Sequence, residues 1–373
     1  MKVKLEELVE EVSERTTVNN QHPVLTSSRS GIYLQEEYFK KQVASKDNTG
    51  YRVIRKGEFT YRAMSDTGEF YPNKLECIDI GIVSPAYPVF KIRDNRILPD
   101  YLKYYFKSRS FQKSITAFVQ GSTRASMKFG KMKLISIDLP DKDKQNQILN
   151  IIRILEGIID KYKLEIDCLN NLVKARFVEM FDDNFGEIVE LGNVCDVRDG
   201  THDSPKYHNE GYPLVTSKNI CDGKIDFSTC NLIQKEDYAK INKRSKVDVG
   251  DVLMPMIGTV GNPIIVNTDK EFAIKNVALI KFKDDSVILN TFIKTLLESD
   301  YFGRAVLSKT KGGTQKFISL GDIRKLEFNL PPIELQHRFA TFVAQVDKSK
   351  FAVQKSLEKT KLLFDSLMQE YFG

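Results

Sequence analysis

The sequence predicts an α+β protein in which a mixed, β-rich globule and a long helix occur twice, giving a pseudo-two-fold internal repeat. The first observation is a set of identical residues at a constant offset of 191 positions. The second is that each copy runs into a long stretch with the spacing of an amphipathic helix. The repeated residues are Gly121 and Gly312, Thr123 and Thr314, Gly130 and Gly321, Leu139 and Leu330, Pro140 and Pro331, and Gln145 and Gln336.

The chain of 373 residues is long enough for two domains of ordinary size. Its 41% hydrophobic and 28% charged residues, with no apolar leader or membrane-length apolar run, favour a soluble protein of the cytoplasm with no membrane contact. Five cysteines without a C-x-x-C pair fit free thiols and argue against a structural metal site. We expect two globules, at 1–142 and 186–333, separated by helices at 143–185 and 334–373.

Apolar residues recur every three or four positions in both helical stretches, from Ile148 through Leu172 to Met180 and from Phe339 through Leu363 to Tyr371. This spacing predicts two long helices, each with a coiled-coil-like seam. An apolar stripe of that length needs a partner, and the order of the segments favours antiparallel pairing of the two helices. The alternative is that each helix folds against its own globule.

Short runs of strand composition mark the second globule, at 213–216, 251–254, 263–266 and 277–282. Helical periodicity at 99–118 and 288–308 predicts a short helix in each copy. A last strand is expected to run into the Leu-Pro of 139–140 and of 330–331, where proline stops it. The first globule is expected to have the same mixed character.

Basic residues between Tyr101 and Ile137 are not interrupted by a single acid, and the same holds for the equivalent stretch 301–320. Because a solvated surface normally mixes both signs, these runs favour a phosphate-facing surface over a plain solvated one. Residues 1–142 hold 24 basic and 17 acidic residues, whereas 186–332 hold 20 of each. The interleaved aromatic residues are expected to be core. The basic residues are Lys103, Lys107, Arg109, Lys113, Arg124, Lys128, Lys131 and Lys133, and then Arg304, Lys309, Lys311 and Lys316.

Small-residue loops lie inside both basic runs. They are Gln120 to Arg124 and Lys311 to Lys316, and Arg124 and Gln315 suit the bidentate contacts that read guanine and adenine edges. A turn with no ligand would have the same pattern. A polar loop with Thr201 and His202 and the pair Lys218-Asn219 are further candidates. The candidate DNA contacts are Lys103, Lys107, Gly121, Ser122, Thr123, Arg124, Lys128, Thr201, His202, Lys218, Asn219, Lys309, Lys311, Gly313, Thr314, Gln315 and Lys316.

Catalytic patterns are missing from the sequence. Asn329-Leu330-Pro331-Pro332 is not the order of an amino-methyltransferase motif, and no G-x-G-x-x-G precedes it. The chain has no Glu-x-Lys tripeptide, so a nuclease site of the Pro-Asp and Glu-x-Lys kind cannot be completed. No catalytic, cofactor or metal residue is therefore expected, and a basic protein built in duplicate is expected to bind a partner.

The residues also resemble a known family, the specificity subunits of type I restriction-modification systems. The resemblance in the second half rests on Asp199 to His202, 249–253, 258–261, 312–315 and 330–336. In the first half it rests on 56–59, 81–90 and 121–124. The first copy has Asp141-Lys142 where the family pattern has a second proline, so we expect a less regular helix junction there.

The resemblance implies a non-catalytic subunit whose two target-recognition domains bind a bipartite, asymmetric double-stranded DNA sequence. It further implies an antiparallel helical spacer, two methyltransferase subunits docked on it, and restriction/translocase subunits outside. S-adenosylmethionine and ATP with magnesium would then be cofactors of the partner subunits and not of this chain. The alternatives are a non-catalytic coiled-coil scaffold, a DNA-binding protein outside a restriction system, and a fused nuclease or methyltransferase.

Overall fold

The computed structural model describes residues 1–39, 45–119, 125–181, 186–221, 223–257, 261–283, 287–305 and 317–373. The chain folds into two compact units. Unit 1 comprises Met1–Lys163 with Lys355–Gly373, and unit 2 comprises Leu164–Gln354. Each unit therefore takes one globule and one part of each long helix.

The first half of the chain contains twelve strands and six helices among the described residues. In order they are β1 (Lys2–Lys4), α1 (Leu5–Leu8), β2 (Val9–Val12), β3 (Leu25–Ser27), β4 (Ile32–Leu34), α2 (Gln35–Tyr38), β5 (Arg52–Arg55), β6 (Phe59–Thr60), β7 (Met64–Ser65), β8 (Asn73–Lys74), β9 (Ile80–Val83), β10 (Val89–Ile92), α3 (Pro99–Lys107), α4 (Arg109–Thr116), β11 (Ala125–Ser126), α5 (Phe129–Met132), β12 (Ser136–Asp138) and α6 (Lys142–Phe181).

The second half follows the same plan, with a 3-10 turn at Ser217–Asn219. Its described elements are β13 (Ile188–Glu190), α7 (Leu191–Val194), β14 (Asp196–Asp199), β15 (Tyr212–Val215), β16 (Ile220–Cys221), β17 (Lys224–Ile225), β18 (Asn231–Ile233), α8 (Lys235–Ser245), β19 (Val252–Pro255), β20 (Ile264–Ile265), β21 (Ala273–Ile274), β22 (Val277–Lys281), α9 (Asn290–Glu298), α10 (Asp300–Ala305), α11 (Leu320–Arg324), β23 (Glu327–Asn329) and α12 (Ile333–Phe372).

Each unit is organised around a four-stranded antiparallel sheet, of order β2-β10-β6-β8 in unit 1 and β14-β22-β19-β20 in unit 2. A separate pair joins the first strand of the globule to its last, as β1 with β12 and as β13 with β23. The predicted strands at 213–216, 251–254, 263–266 and 277–282 are thereby confirmed. Unit 2 adds a three-stranded sheet, β18-β15-β21.

Aromatic residues of the basic run lie in the core of unit 1, as expected. Phe106 and Phe111 are fully buried and their rings lie 5.0 Å apart, and Phe106 also meets Phe59 and Phe90 of the sheet. These rings fix the helices α3 and α4 on the sheet, because buried aromatic side chains dominate core energetics. The basic residues between them are left near the surface.

The predicted helix at 99–118 is in fact two helices, and so is the one at 288–308. Ser108 ends α3 and caps α4, where its Oγ accepts a hydrogen bond from the Phe111 N–H at 3.1 Å. Ser299 does the same for Phe302 at 3.4 Å. A serine side chain competes with the helical backbone for hydrogen bonds and so favours a cap over a helix interior.

Helices α6 and α12 are each 40 residues long. In unit 2 Phe339 lies 5.4 Å from Phe181 and 5.5 Å from Phe177 between ring centroids, while Lys350 donates to Asn170 at 2.6 Å. Residue numbers therefore rise along α12 as they fall along α6, which makes this pair antiparallel. The predicted antiparallel pairing is confirmed.

The same helices also enter the globular cores. In unit 1, Ile148 and Ile152 of α6 and Phe372 of α12 belong to the core of the first globule. In unit 2, Phe177 and Phe339 belong to the core of the second. The antiparallel pair and the packing of each helix on its own globule therefore occur together. Of the predicted seam residues, Ile151, Leu172 and Leu363 are exposed.

Both junctions between globule and helix are organised by one buried glutamine. Gln145 accepts the Leu98 N–H at 2.8 Å and donates to Arg96 O at 2.8 Å and Pro140 O at 2.9 Å. Gln336 accepts the Leu289 N–H at 2.8 Å and donates to Val287 O and Pro331 O at 3.0 and 2.9 Å. Every partner is displaced by the same 191 residues.

The expectation of a less regular first junction is wrong. Although Asp141 replaces a proline there, α6 begins at the position equivalent to the start of α12. The Asp141 carboxylate accepts the Lys144 N–H at 2.8 Å and so caps the helix in place of the proline.

Among the described residues, no helix is long and apolar enough to cross a membrane. The predicted boundaries at 142/143, 185/186 and 333/334 remain a prediction.

Candidate nucleic-acid interface

Ten of the predicted DNA contacts lie outside the described residues. They comprise residues of the small-residue loop of each copy and Lys309, which precedes the second loop. They are Gly121, Ser122, Thr123, Arg124, Lys309, Lys311, Gly313, Thr314, Gln315 and Lys316. The other seven occupy both units and are described in turn.

Lys103 is not an isolated cation. Its Nζ lies 2.6 Å from Glu76 Oε2, and Lys74 Nζ lies 3.0 Å from the other oxygen of the same carboxylate. Burial opposes ionisation of Glu76, but these two ammonium groups hold its pKa below the ordinary value. Although the basic run contains no acid in its sequence, the fold places Glu76 beside it. Part of the charge of Lys103 is therefore balanced within unit 1.

Lys107 lines a cavity of about 580 Å³ in unit 1. Three further cations surround the same space: Arg29 from the turn between β3 and β4, and Arg109 and Lys113 from α4. Glu69 and Tyr71 line it as well. We call this space, with those six residues, the basic cavity. It brings together residues of the predicted basic run and one arginine that is distant from them in the sequence.

Lys128 is exposed and stands directly before α5. Its neighbours are fixed: Met127 and Phe129 are buried, and the Tyr61 hydroxyl donates to Met127 O at 3.0 Å. In the described part of the chain Lys128 has no acidic partner within ion-pair distance. It therefore presents a free charge from a rigid backbone, next to the loop at 120–124.

In unit 2 the loop that begins at Gly200 packs closely on the neighbouring backbone. A Cβ at Gly200 would lie 2.1 Å from Ile274 O, so this position requires glycine. Thr201 donates its N–H to Ile274 O at 3.0 Å and its carbonyl accepts the Asn276 N–H at 3.1 Å. The loop that carries Thr201 and His202 is thus held in one place.

His202 has both ring nitrogens engaged. Nδ1 lies 2.8 Å from Asn276 Oδ1 and Nε2 lies 2.8 Å from Asp199 Oδ2. Both partners are acceptors, and imidazole donates from both nitrogens only when it is protonated. The hydrogen bonds to Asn276 and then to Asp199 raise the pKa of His202, against the nearby charge of Arg244. These contacts favour the protonated form of His202 and also fix its loop.

We expect the pKa of His202, measured by NMR titration, to lie above 6.5. Asn276→Gly should lower this pKa, since glycine tolerates the left-handed φ of 55° but removes the acceptor. Because the pKa is raised on folding, its stabilising effect is complete below about pH 6.5 and disappears as pH rises through the folded value. Amide exchange in the 199–202 loop, corrected for intrinsic rates, should therefore be slower at pH 6 than at pH 8.

Asn262→Gly is the matched control for this titration, because Asn262 also has a positive φ, of 54°, but is not a partner of His202. It should leave the pKa of His202 unchanged. An unchanged value in Asn276→Gly would show that the hydrogen bond to Asn276 does not stabilise the protonated ring.

Lys218 and Asn219 lie on the 3-10 turn after β15 and differ in exposure. Lys218 is exposed and, within the described residues, has no ion-pair partner. Asn219 is buried, its Oδ1 accepts from the Thr216 N–H and hydroxyl at 2.9 Å, and its Nδ2 donates to Thr229 at 3.1 Å. A base contact by Asn219 would require its side chain to leave this position, whereas Lys218 is available.

Three residues that sequence reasoning missed complete these sites. Arg29 joins the basic cavity from a serine-rich turn, Arg244 pairs with the Asp199 carboxylate, and Asn276 holds His202. An asparagine directly before an apolar strand, as at Asn276, is a usable signal for a left-handed turn residue. Arg29 and Arg244 have no such signal, because only the fold brings them to their partners.

A repeated α+β unit with exposed cations in each copy and a rigid polar loop in unit 2 is typical of a protein that binds an extended anionic partner. The family of this chain follows from a model of the type I restriction modification DNA specificity domain, which matches residues 2–167 and again 186–362. The chain belongs to this family, and the two matches coincide with the two copies of the internal repeat.

Individual proteins agree with this family. The specificity subunit of the MjaVIII type I restriction enzyme of Methanocaldococcus jannaschii is 25% identical over 362 residues, which cover 88% of this chain and 83% of that one. The MjaIX specificity subunit of the same organism is 21% identical, with 73% and 68% covered. A chain from a solved type I R-M system, in work on its complex assembly and conformational transition, matches with a TM-score of 0.59 and 18% identity, covering 100% of this chain and 97% of its own. That likeness concerns the fold.

Proposed function

We propose that this chain is the DNA-recognition subunit of a type I restriction-modification complex and that each unit reads one half of a bipartite target. The observation that carries the proposal is the repeated junction. Gln145 and Gln336 hold equivalent globules on equivalent helices, while the surfaces of the two globules differ in charge and loop structure. Two globules that are held on the helices in the same way, but that have different surfaces, suit two different half-sites.

The proposal assigns no catalysis and no resident cofactor to this chain. Methylation and ATP-driven translocation would be the work of two methyltransferase subunits and of restriction/translocase subunits, which would carry S-adenosylmethionine and ATP with magnesium. Such a complex would act in the cytoplasm. The long helices α6 and α12 expose apolar residues such as Ile154, Leu164 and Leu362, which supports docking of partner subunits on them.

We take 1–142 and 186–333 as the target-recognition domains and 143–185 and 334–373 as the spacer helices. The proposed DNA contacts are those predicted from the sequence, with Lys107, Lys128, Lys218 and the loop of His202 supported by their exposure or rigid placement. The loops with Arg124 and Gln315 are proposed as base readers.

Co-expression with the methyltransferase subunits should give a complex with one copy of this chain and two of theirs, measured by native mass spectrometry. Sequencing of methylated adenines should then show a bipartite motif. Arg124→Ala should relax one half-site and Gln315→Ala the other, each by about 1–3 kcal/mol of discrimination, because a bidentate contact to a base edge is lost.

The two variants control each other, since each should leave the other half-site unchanged. Methylation that does not depend on this chain would contradict the proposal and favour a scaffold. A variant that relaxes both half-sites would contradict the assignment of one half to each unit.

A further inference from the structure

The basic cavity of unit 1 has more positive charge than the protein itself neutralises. Among the described residues Glu69 is the one acid that lines it, and its carboxylate accepts the Tyr71 hydroxyl at 2.7 Å and lies 3.9 Å from Arg29. In the part of the chain that the structure describes, no acid lies within ion-pair distance of Lys107, Arg109 or Lys113. Three cations around one space repel one another, so they favour an anion between them.

The walls of the basic cavity are rigid before any ligand arrives. Gln112 of α4 accepts the Phe70 N–H at 3.2 Å and donates to Phe70 O at 2.7 Å, which attaches the segment with Glu69 and Tyr71 to the helix. Asn73, which is buried, donates to Ser28 O at 2.8 Å and to Ser27 Oγ at 3.0 Å. These bonds hold the turn with Arg29, so the cavity does not have to be ordered on binding.

Two of the cations are also desolvated or oriented by the protein. Lys107 is exposed as a residue, but its ammonium lies 5.9 Å from the centre of the Tyr104 ring. Burial, and then the charge of Lys103, lowers its pKa against the charges of Glu156 and Glu76. The Arg29 guanidinium lies 5.4 Å from the centre of the Tyr71 ring, a cation–π distance. A bound anion would offset the free-energy cost of burying the charged ammonium of Lys107. It would also contact an Arg29 guanidinium that is already oriented.

The second copy shows that the fold does not need these charges. At the same offset of 191 residues, Lys107 corresponds to Glu298 and Arg109 to Asp300, on either side of the equivalent serine cap. The helix pair α3–α4 and its counterpart α9–α10 therefore form with either sign of charge. Packing therefore does not require the cations at Lys107 and Arg109, and a ligand would supply a physical reason for them.

We propose that the basic cavity binds a phosphate of the DNA backbone and anchors unit 1 on the duplex, with no equivalent contact in unit 2. This inference rests on the proposed function and deepens it. Arginine and lysine side chains from three segments approach one space, which suits a phosphate oxygen cluster better than a flat base edge. It also accounts for part of the excess of basic residues in 1–142.

The test uses the assembled complex with its methyltransferase subunits and a cognate duplex. The double variant Lys107→Glu with Arg109→Asp gives the first copy the residues of the second. We expect the slope of log affinity against log salt to fall by about 1 in magnitude, since the one phosphate contact that is lost contributes about 0.9. Affinity should fall by roughly 10- to 100-fold on cognate and unrelated DNA alike, and the methylated sequence should not change.

Lys46→Asp with Lys144→Glu is the matched control, because it changes the net charge by the same amount at exposed positions outside the cavity. It should alter the salt slope far less. Arg29→Gln, on the opposite wall, should lower the slope in the same direction and by no more than the Lys107→Glu with Arg109→Asp variant does. We call Lys107→Glu with Arg109→Asp the cavity pair. If the cavity pair and the control pair changed the salt slope equally, the effect would come from the net charge of the protein and not from the cavity. That result would overturn the proposed site.

Calorimetric titration with inorganic phosphate separates the two sources of this ligand. Weak, millimolar binding to the wild-type chain that is lost in the cavity pair supports a phosphate cavity. Micromolar binding of inorganic phosphate, together with the same DNA salt slope in the cavity pair and the wild type, would show that the cavity binds free phosphate. That result would overturn the proposed contact with the DNA backbone. If the wild-type complex methylated no DNA, the proposed function would be wrong. If the wild-type chain bound no phosphate, the proposed phosphate site would be wrong, whatever the outcome for methylation.

Discussion

Phe339→Ala is expected to lower the free energy of unfolding of unit 2 by about 3–5 kcal/mol. Phe339 is fully buried at the start of α12, and its ring meets Phe177 and Phe181 near the end of α6. Both of those rings also contact Phe292 of the globule. One truncation therefore opens a cavity where the two long helices and the second globule share a core.

Phe351→Ala is the control, because Phe351 lies on the same helix but is 67% exposed. It should change the stability by no more than about 0.5 kcal/mol. Chemical denaturation, monitored by amide exchange in peptides of unit 2, gives the free energy of unfolding of both variants. Equal effects of the two variants would show that the aromatic cluster does not stabilise the helix pair.

Gln145→Leu and Gln336→Leu are each expected to destabilise their own unit by about 3–5 kcal/mol, because a buried polar group without a partner costs about 1–3 kcal/mol. Leucine has a similar volume, so little space opens for water. In unit 1 it leaves the Leu98 N–H and the carbonyls of Arg96 and Pro140 without their partner. The result would be a loosened junction between globule and helix.

Amide exchange locates this effect. The Leu98 amide should exchange faster in Gln145→Leu, and the Leu289 amide in Gln336→Leu, each without change in the other unit. Gln147→Leu is the control, since Gln147 is exposed on the same turn of α6. Unchanged exchange at Leu98 in Gln145→Leu would contradict the role of this side chain as the link.

The asymmetry between the two units has a functional consequence. Unit 1 has the basic cavity, whereas unit 2 has the acids Glu298 and Asp300 at the equivalent helix pair. Elsewhere unit 2 has His202, whose pKa is raised by its hydrogen bonds to Asn276 and Asp199. We therefore expect unit 1 to depend more on salt and unit 2 more on pH. A single frame can in this way present two chemically different halves to one DNA molecule.

Much of the fold could be predicted because its signals are local or periodic. The 40-residue helices follow from apolar residues at spacings of three and four, and the strands from short apolar runs between turn residues. The repeat predicted the equivalence of Gln145 and Gln336, although not their hydrogen bonds. The break at Ser108 was missed, because a single serine in a helical pattern is a weak signal and its cap depends on local backbone geometry.

The sequence by itself determined the duplication, the two long helices and the basic character of the first half. Only the tertiary structure decided which charges remain available: it pairs Lys103 with Glu76, which is 27 residues away, and His202 with Asn276, which is 74 residues away. It also brings Arg29 to the cations of α4. Such contacts have no period and no fixed spacing, since they depend on how sheet and helices pack. Composition counts charges, whereas the fold determines which of them face a partner.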